Sequence, residues 1–481
     1  MVRLRGVIFL LAAAVFAADA YRPKIHFSPA RNWTNDPCGL YFLDGVYHVF
    51  FQYNPFGDTW GHMSWGHASS RDLFHWTEHP VALAEENGVM MFTGSGVFDK
   101  GNTSGLCQDA EGCPVLMYTG HAPKAPRREH QNLAVGDRQG TRWIKYARNP
   151  VIDESMEEFR DPKVFWHDGT RRWVAVVSLA KQHRVRFYGS SDLKSWKRLS
   201  EFGPAGALGP NWECPEFFEL PVLRAKDDKP RGDTRWVLKI GIGSGHPAGN
   251  GSGEQYFVGR FDGETFVNDN PKETTLWFDS GPDCYCTLQW GNQPKGQKST
   301  KMLGWMNNWR YAAKIPTSPF RGQMTVPRDV SLVEMTGGQL RLRQAPAEEL
   351  RRITHGNAST STLPAGPFEI EVDQRGQGDL RIRLENAAGQ FFEAGYDAAT
   401  RQWFADRTHA GDHAFDKSFG LRAVSPESPG GSARIVVDTL SVEVFGGAGD
   451  AVLTSLTFPS SPWTRLSVTG KVKVHVRALV P

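Results

Sequence analysis

Short apolar runs of β type recur along the first two thirds of the chain. Five of them start about 60 to 70 residues apart, at 47–53, 115–118, 173–179, 236–242 and 302–306. Another strand-like segment precedes each run, at 35–42, 93–98, 161–166, 213–220 and 283–290. Five units of about four strands predict a five-bladed β-propeller, because each blade of such a ring buries its faces only against its neighbours.

The pattern changes after residue 336. Gly337 and Gly338 and a polar stretch that follows separate the repeats from a second region with alternating strands at 368–372, 380–384, 391–396, 433–437, 441–445 and 472–476. Alternation with a period of two, interrupted by Gly-rich turns, is typical of an antiparallel β-sandwich. We therefore predict an all-β chain with a propeller at 21–336, a linker at 337–361 and a β-sandwich at 362–481.

The first twenty residues have the pattern of a signal peptide. Arg3 and Arg5 precede an apolar run at 7–16, and Ala18-Asp19-Ala20 matches the small-x-small cleavage rule. No later stretch reaches the roughly 18 apolar residues that a membrane span requires. The sequence thus predicts a secreted protein, extracellular or periplasmic, with no membrane partner.

Composition narrows the choice of partners. A net charge of +3 is too small to indicate binding to nucleic acid. Aromatic residues make up 12% of the chain and 16 of them are Trp, so flat apolar surfaces are available for stacking on sugar rings as well as for packing a β-rich core.

Six cysteines in an exported chain allow disulfides. Cys107 and Cys113 bracket a short polar loop that a disulfide could close, and free thiols are the alternative. No Cys-x-x-Cys or His cluster has the spacing of metal ligands, so the sequence predicts neither a metal nor another cofactor.

Three acidic signatures carry the candidate chemistry. They are Asn35-Asp36-Pro37, Arg160-Asp161-Pro162 and Trp212-Glu213-Cys214-Pro215, and each begins a strand-like segment. If the first strand of every blade lines the central channel, Asp36, Ser95, Asp161, Glu213 and Asp283 meet in one funnel. A pair of carboxylates with a third beside them is typical equipment for cleaving a glycosidic bond. For a single copy, a turn whose acid caps the backbone is the alternative.

With these motifs in place, the chain closely resembles glycoside hydrolase family 32, the family of invertases, inulinases and levanases. The pattern is closest to the exo-acting levanases and inulinases. The matching stretches are NWTNDP at 32–37, FQYNP at 51–55, WGHA at 65–68, FTGS at 92–95, FRDPKVF at 159–165, WECP at 212–215, IPTSPFRG at 315–322, MTVPR at 324–328 and VEVF at 442–445.

The resemblance implies a retaining β-fructofuranosidase that acts through a covalent fructosyl-enzyme. Asp36 would be the nucleophile, Glu213 the general acid and base, and Asp161 the residue that stabilises the transition state. The positions that would bind the terminal fructosyl unit are Asn35, Gln52, Trp60, Phe92, Ser95, Arg160 and Trp309.

The substrate would be sucrose or a fructan such as inulin or levan, and similarity around Trp309 to exo-acting relatives favours release of terminal fructose. One alternative is a fructosyltransferase, which passes the same intermediate to a sugar. Another is a carbohydrate-binding propeller without catalysis, which the presence of all three acids disfavours.

The chain departs from the family pattern at Cys38, where the family usually has Asn, and at Cys284 and Cys286, where related levanases tend to have Phe and Ala. Because blade five would neighbour blade one, the resemblance suggests a disulfide across the ring closure from Cys38 to Cys284 or Cys286. Cys286 is favoured, because the small side chain of the relatives at that position implies close packing against the neighbouring strand. Buried free thiols are again the alternative.

Overall fold

A computed structural model describes residues 19–124, 126–358, 362–374 and 378–481. Nearly all of the predicted signal peptide lies outside these residues. The prediction of an all-β chain is confirmed, because regular structure other than strand is limited to four short 3₁₀ turns, at Ala180–Gln182, Ala312–Lys314, Glu348–Ile353 and Gly447–Gly449, within the described residues. That part of the chain has no helix of the length and apolarity that crossing a bilayer requires.

The first three blades are separate antiparallel sheets. The strands of blade one are β1 (Asn32–Leu43), β2 (Val46–Tyr53), β3 (Ser64–Ser70) and β4 (Thr77–Leu83). Those of blade two are β5 (Met90–Lys100), β6 (Gly112–Ala122), β7 (Arg128–Gly136), β8 (Trp143–Lys145) and β9 (Ile152–Met156). Those of blade three are β10 (Phe159–His167), β11 (Arg172–Leu179), β12 (Arg184–Ser190) and β13 (Lys197–Phe202).

Blades four and five share one continuous sheet. Blade four contains β14 (Trp212–Arg224), β15 (Pro230–Ile242), β16 (Gly253–Phe261), β17 (Phe266–Asn268) and β18 (Leu276–Trp277). Blade five contains β19 (Tyr285–Gln289) and β20 (Ser299–Trp305), and the short β21 (Phe320–Arg321) pairs instead with β1. Blade five is completed by β22 (Arg328–Glu334) and β23 (Leu340–Pro346), and β22 pairs in parallel with β14.

The inner strands of the five blades form a closed ring. Strand β1 contacts β5 and β19, β10 contacts β5 and β14, and β14 contacts β19. Two main-chain hydrogen bonds close the ring from blade one to blade five: the N–H of Gly291 donates to the carbonyl of Leu40, and the N–H of Phe42 donates to the carbonyl of Gly291. The five-bladed propeller predicted from the repeat is therefore present.

The predicted linker is largely structured. Gly337 and Gly338, both in the left-handed region, form the turn of a hairpin between β22 and β23, so the propeller sheet continues to Pro346. Beyond it, β24 (Thr354–Ala358) already pairs with the last strand of the sandwich. A Gly-Gly pair can mark either a hairpin turn or a domain boundary, and the local sequence is the same in both cases. The pairing of β22 with β23 shows that this pair is a hairpin turn.

The C-terminal domain is the expected antiparallel sandwich. Its first sheet contains, in spatial order, β24, β34 (Val472–Leu479), β25 (Phe368–Gln374), β30 (Ala433–Asp438), β31 (Ser441–Gly446) and β32 (Ala451–Leu456). The second contains β29 (Arg422–Val424), β28 (Gln402–His409), β27 (Phe391–Asp397), β26 (Leu380–Asn386) and β33 (Trp463–Thr469).

Buried charges join the propeller to the sandwich. Arg328 donates to Asp279 of the propeller at 2.9 Å and to Glu443 of the sandwich at 2.6 Å. The ring of His26 bonds to Asp438 at 2.8 Å and to Glu443 at 3.0 Å. Burial by itself lowers the pKa of His26, but the two carboxylates outweigh it and raise that pKa to about 9.

Asp283 belongs to this interface and not to the channel. Its carboxylate accepts from Arg407 and Tyr311 and from the backbone of Leu456. The expectation that it reaches the funnel is wrong, because strand β19 begins two residues later and Asp283 precedes it on the side that faces the sandwich.

One of the two predicted disulfides is present and the other is not. Cys107 and Cys113 form the short-loop disulfide, but Cys286 is bonded to Cys214, with their Cα atoms 5.4 Å apart. Cys38 and Cys284 are free and buried. The Cys38–Cys286 expectation assumed a regular strand, whereas Cys286 has a φ of 47° and lies at a register shift that turns it toward blade four.

Candidate active site

The inner strands share one irregularity at the same level of the ring. The pairing register shifts between Thr34 and Pro37 in β1 and between Phe92 and Gly94 in β5. Equivalent shifts occur at 160–163 in β10, at 213–216 in β14 and at 285–288 in β19. Such a bulge bends a strand and re-aims its side chains. The polar residue at each shift therefore points along the channel instead of into a blade.

These shifts bring the three predicted acids into one cavity of about 360 Å³. Its walls come from blades one to four and from the segment after β20. The lining residues are Asn35, Asp36, Gln52, Trp60, Phe92, Thr93, His121, Arg127, Glu129, Glu158, Arg160, Asp161, Lys181, Glu213 and Trp309. All predicted substrate-binding positions except Ser95 are among them.

Asp36 is a buried carboxylate with few partners. Its Oδ2 accepts from the hydroxyl of Thr93 at 2.8 Å, while Oδ1 is buried without a hydrogen bond. Burial, with a smaller contribution from the charge of Glu213, raises the pKa of Asp36 to about 7, although the Thr93 bond opposes the shift. One oxygen is thus held and the other remains free to react.

Asp161 enters the cavity from strand β10 of blade three. Its φ of 63° places it in the left-handed region, and its backbone N–H donates to the hydroxyl of Thr119 at 2.9 Å. Its Oδ2 accepts from the backbone N–H of Cys214 at 2.9 Å. Burial together with the charges of Glu213 and Asp36 raises the pKa of Asp161 well above its ordinary value.

Glu213 is held by two donors. Arg160 donates to Oε1 at 2.9 Å, and the hydroxyl of Tyr285 donates to Oε2 at 2.6 Å. Arg160 is itself anchored by the fully buried Glu129 at 3.0 Å. The carboxyl of Glu213 is more open to the cavity than those of Asp36 and Asp161, with a side chain 19% exposed, as a group that exchanges protons with solvent requires.

The other predicted binding residues form a polar floor and an aromatic wall. Gln52 donates to the carbonyl of Met91 at 2.9 Å. Trp60 is 46% exposed and meets the ring of Phe92 edge-on at 6.1 Å. Trp309 stacks beside two buried Trp side chains, Trp33 and Trp305. An exposed indole above a polar floor suits a sugar ring, which presents an apolar face and a hydroxyl edge.

Ser95 lies outside the cavity. Its hydroxyl donates to the carbonyl of Pro162 at 2.8 Å and accepts from the N–H of Val164 at 2.9 Å, so it ties blade two to blade three. The motif around Ser95 nevertheless contains a cavity residue, Thr93, two positions earlier. A strand places these two residues on the same face, but the register shift at Gly94 separates them.

Four residues of the site were not predicted. Thr93 and Tyr285 contact the acids directly, whereas Glu129 and His121 hold Arg160 and Phe92. The ring of His121 stacks on Phe92 with centroids 4.2 Å apart and bonds to Glu129 at 2.9 Å. The fifth repeat predicted Asp283 as the channel residue of blade five. The side chain of blade five that reaches the acids is that of Tyr285.

One group of the described residues has a spacing that could suit a metal. Ligand atoms of Asp36, Cys214 and Cys286 lie within 4.8 Å of one another. Since the two sulfurs are bonded to each other, they supply no thiolate, which is the form of cysteine that binds metals. These residues do not fit a metal site.

Profiles of known families match nearly the whole chain. Glycosyl hydrolases family 32 N-terminal domain matches residues 26–346, and Glycosyl hydrolases family 32 C terminal matches residues 339–478. The chain belongs to glycoside hydrolase family 32. It is 39% identical to the extracellular exo-inulinase of Aspergillus awamori, over 98% of this chain and 96% of the relative. It is 38% identical to the levanase of Bacillus subtilis, over 100% of this chain and 74% of the relative.

A solved member of the family has the same architecture. The crystal structure of exo-inulinase from Aspergillus awamori superposes with a TM-score of 0.87 at 38% identity, covering 96% of this chain and 98% of that one. The chain is therefore a glycoside hydrolase with the propeller and sandwich of family 32.

Proposed function

We propose that the protein hydrolyses terminal β-D-fructosyl bonds of sucrose or fructans with retention of configuration. In this mechanism Asp36 attacks the anomeric carbon, and Glu213 protonates the leaving oxygen and later deprotonates the attacking water. Asp161 accepts hydrogen bonds from hydroxyls of the fructosyl ring. The observation that carries the proposal is the meeting of these three carboxylates, from blades one, three and four, in one cavity.

The electrostatics of the cavity favour a positively charged transition state over a neutral substrate. Asp36 and Asp161 both have raised pKa values because they are buried beside other carboxylates. Acids so close together titrate as a coupled group. An oxocarbenium-like transition state carries positive charge, which favours the ionised forms of both acids. The ionised acids therefore stabilise this transition state more than they stabilise the neutral substrate.

Each acid is fixed by a partner that suits its role. The free Oδ1 of Asp36 is the atom available for the glycosyl bond. The two donors on Glu213, Arg160 and Tyr285, hold its carboxyl while still leaving it partly exposed. Such positioning supplies much of the rate enhancement when reacting atoms are held in line.

The size of the cavity favours recognition of a chain end. Its volume of about 360 Å³ is near the lower limit of about 300 Å³ for ligand pockets, so it accommodates a terminal unit better than a continuous chain. Arg127 and Lys181 line the same cavity and offer hydrogen-bond donors to substrate hydroxyls. The relatives named exo-inulinase support the same exo action.

We also propose that the protein is exported, as the relatives named extracellular are. The support from this chain is the basic and apolar pattern of its first twenty residues. Activity recovered from the medium or periplasm of the producing cell, with mature protein that starts near Tyr21, is the expected result.

The deciding experiment incubates the purified protein with sucrose, inulin and levan side by side and follows product lengths by chromatography. Release of free fructose from the start, without intermediate oligomers, is expected. Proton NMR of the first product tests retention, and inversion would exclude the covalent mechanism. Longer products at high sucrose would instead identify a transferase. The Asp36→Asn variant is the matched inactive control.

A further inference from the structure

The Cys214–Cys286 disulfide lies directly behind the catalytic cavity. It joins β14 of blade four to β19 of blade five, and both residues are essentially inaccessible to solvent. Within the shared sheet, the path from β14 to β19 runs through β22 and β20, so the two inner strands are not hydrogen-bonded neighbours. The cystine is therefore a direct covalent link between two walls of the channel.

Each cysteine directly follows one member of a hydrogen-bonded pair at the active site. Cys214 follows Glu213 and Cys286 follows Tyr285, and the hydroxyl of Tyr285 donates to Glu213 at 2.6 Å. Both cysteines have left-handed backbones, with φ values of 48° and 47°, at the register shifts that aim the channel residues. The crosslink thus holds together the two bulges from which Glu213 and Tyr285 project.

The cystine also touches the other two acids. The backbone N–H of Cys214 donates to Oδ2 of Asp161 at 2.9 Å. The Cys214 sulfur lies 3.6 Å from Oδ2 of Asp36. A disulfide sulfur carries no proton, whereas a thiol at this distance would donate a weak hydrogen bond to the carboxylate. In the oxidised protein the hydroxyl of Thr93 therefore donates to Asp36, and the Cys214 sulfur does not.

We propose that the Cys214–Cys286 disulfide is a positioning element of the active site. It fixes Glu213 and Tyr285 relative to Asp36 and Asp161, and it keeps a thiol donor away from the nucleophile. This role rests on the proposed roles of the three acids and adds a requirement that none of them implies: catalysis needs the crosslink as well as the carboxylates.

The test compares Cys286→Ala with the double variant Cys107→Ser/Cys113→Ser. The first breaks the cystine behind the cavity and leaves Cys214 as a thiol. The second breaks the other disulfide, which closes a surface loop of blade two. Both variants are expected to lower the Tm. We expect only Cys286→Ala to lower kcat, by about 10- to 100-fold, the scale of a small misplacement of reacting groups, while KM changes less than about threefold.

A pH profile separates positioning from general loss of stability. In Cys286→Ala, the new thiol donor favours ionised Asp36, so the acid limb of kcat/KM moves to lower pH. The titratable groups that face Asp36 are Glu213, Asp161, Tyr285 and Cys38, and all of them remain. Adding Cys214→Ala removes the thiol, so the acid limb returns toward its original position while kcat stays low.

Two results would overturn the proposal. One is a Cys286→Ala protein with the original kcat and pH profile, whatever its Tm. The other is non-reducing peptide mapping that finds free Cys214 and Cys286 in the fully active enzyme. If Cys286→Ala does not fold, the unaltered chain is produced in a reducing cytoplasm, where Cys214 and Cys286 both remain thiols, and is compared with the Cys107→Ser/Cys113→Ser variant. An unaltered protein inactive on all fructosides would instead refute the proposed function.

Discussion

Replacing Asp36 by Asn should abolish turnover and at the same time stabilise the protein at neutral pH. Asn has nearly the same shape, so the contact with Thr93 is retained. It cannot attack the anomeric carbon, and losses of about 10³-fold or more are the scale for removing such a nucleophile. It also cannot ionise, which removes the cost of burying a charge beside Glu213.

The magnitude follows from the pKa of Asp36, which rises from 3.8 to about 7 on folding. The folded state binds the proton more tightly than the unfolded state, so the free energy of unfolding falls as the pH rises from about 4 to about 7. A shift of about three units at about 1.4 kcal/mol each gives a cost on the order of 4 kcal/mol above pH 7. Asp36→Asn avoids this cost, and its Tm should exceed that of the unaltered protein by about 5 °C at pH 8.

The assay is thermal unfolding of both proteins at one scan rate from pH 4 to pH 8, together with initial rates on sucrose. The Tm difference should shrink toward zero as the pH approaches 4, because Asp36 is then protonated in the folded state and close to half protonated in the unfolded state. Glu157→Gln, which removes an exposed carboxylate, is the control and should leave the Tm difference small at every pH. An equal or lower Tm for Asp36→Asn at pH 8 would refute the assignment of a costly buried charge.

Three further predictions concern single side chains. Tyr285→Phe removes the hydroxyl that donates to Glu213 and should lower kcat about tenfold, with little change in KM, measured by initial rates. His26→Gln removes a buried cation whose pKa is about 9. The free energy of unfolding that this cation contributes is about 3 kcal/mol. It is fully present below pH 6.5 and is lost as the pH rises through 9. Thermal scans should therefore show His26→Gln less stable at pH 6, with the gap closing by pH 10. Trp60→Ala removes the exposed indole at the cavity and should raise KM about tenfold, or 1.4 kcal/mol, with a smaller effect on kcat; an unchanged KM would exclude stacking on the substrate.

Local patterns in the sequence predict much of this site, because equivalent positions at the starts of the inner strands recur from blade to blade. Asp36, Asp161 and Glu213 each begin an inner strand, and a ring of five such strands brings their ends together whatever the loops contain. The family motifs around them name the same residues. The cavity accordingly holds nine of the ten predicted catalytic and binding positions.

Predictions that assumed regular strands failed. A strand with strict alternation places Cys284 and Cys286 on one face and gives Ser95 the same direction as Thr93. Register shifts break that alternation at the level of the cavity, so Ser95 joins two blades and Cys286 turns to Cys214. The prediction that Asp283 reaches the channel fails for a related reason. Strand β19 starts after this residue, and the Asp283 carboxylate lies at the interface with the sandwich.

By itself, the sequence determined the fold class, the repeat, the two domains and the three acids that meet in the cavity, since all of these depend on periodicity and short motifs that are read along the chain. The tertiary structure alone decided which cysteines pair, which donors hold Glu213 and how far burial shifts the pKa of Asp36. These properties depend on distances between blades that are far apart in sequence, and on bulges whose direction is set by packing around the closed ring.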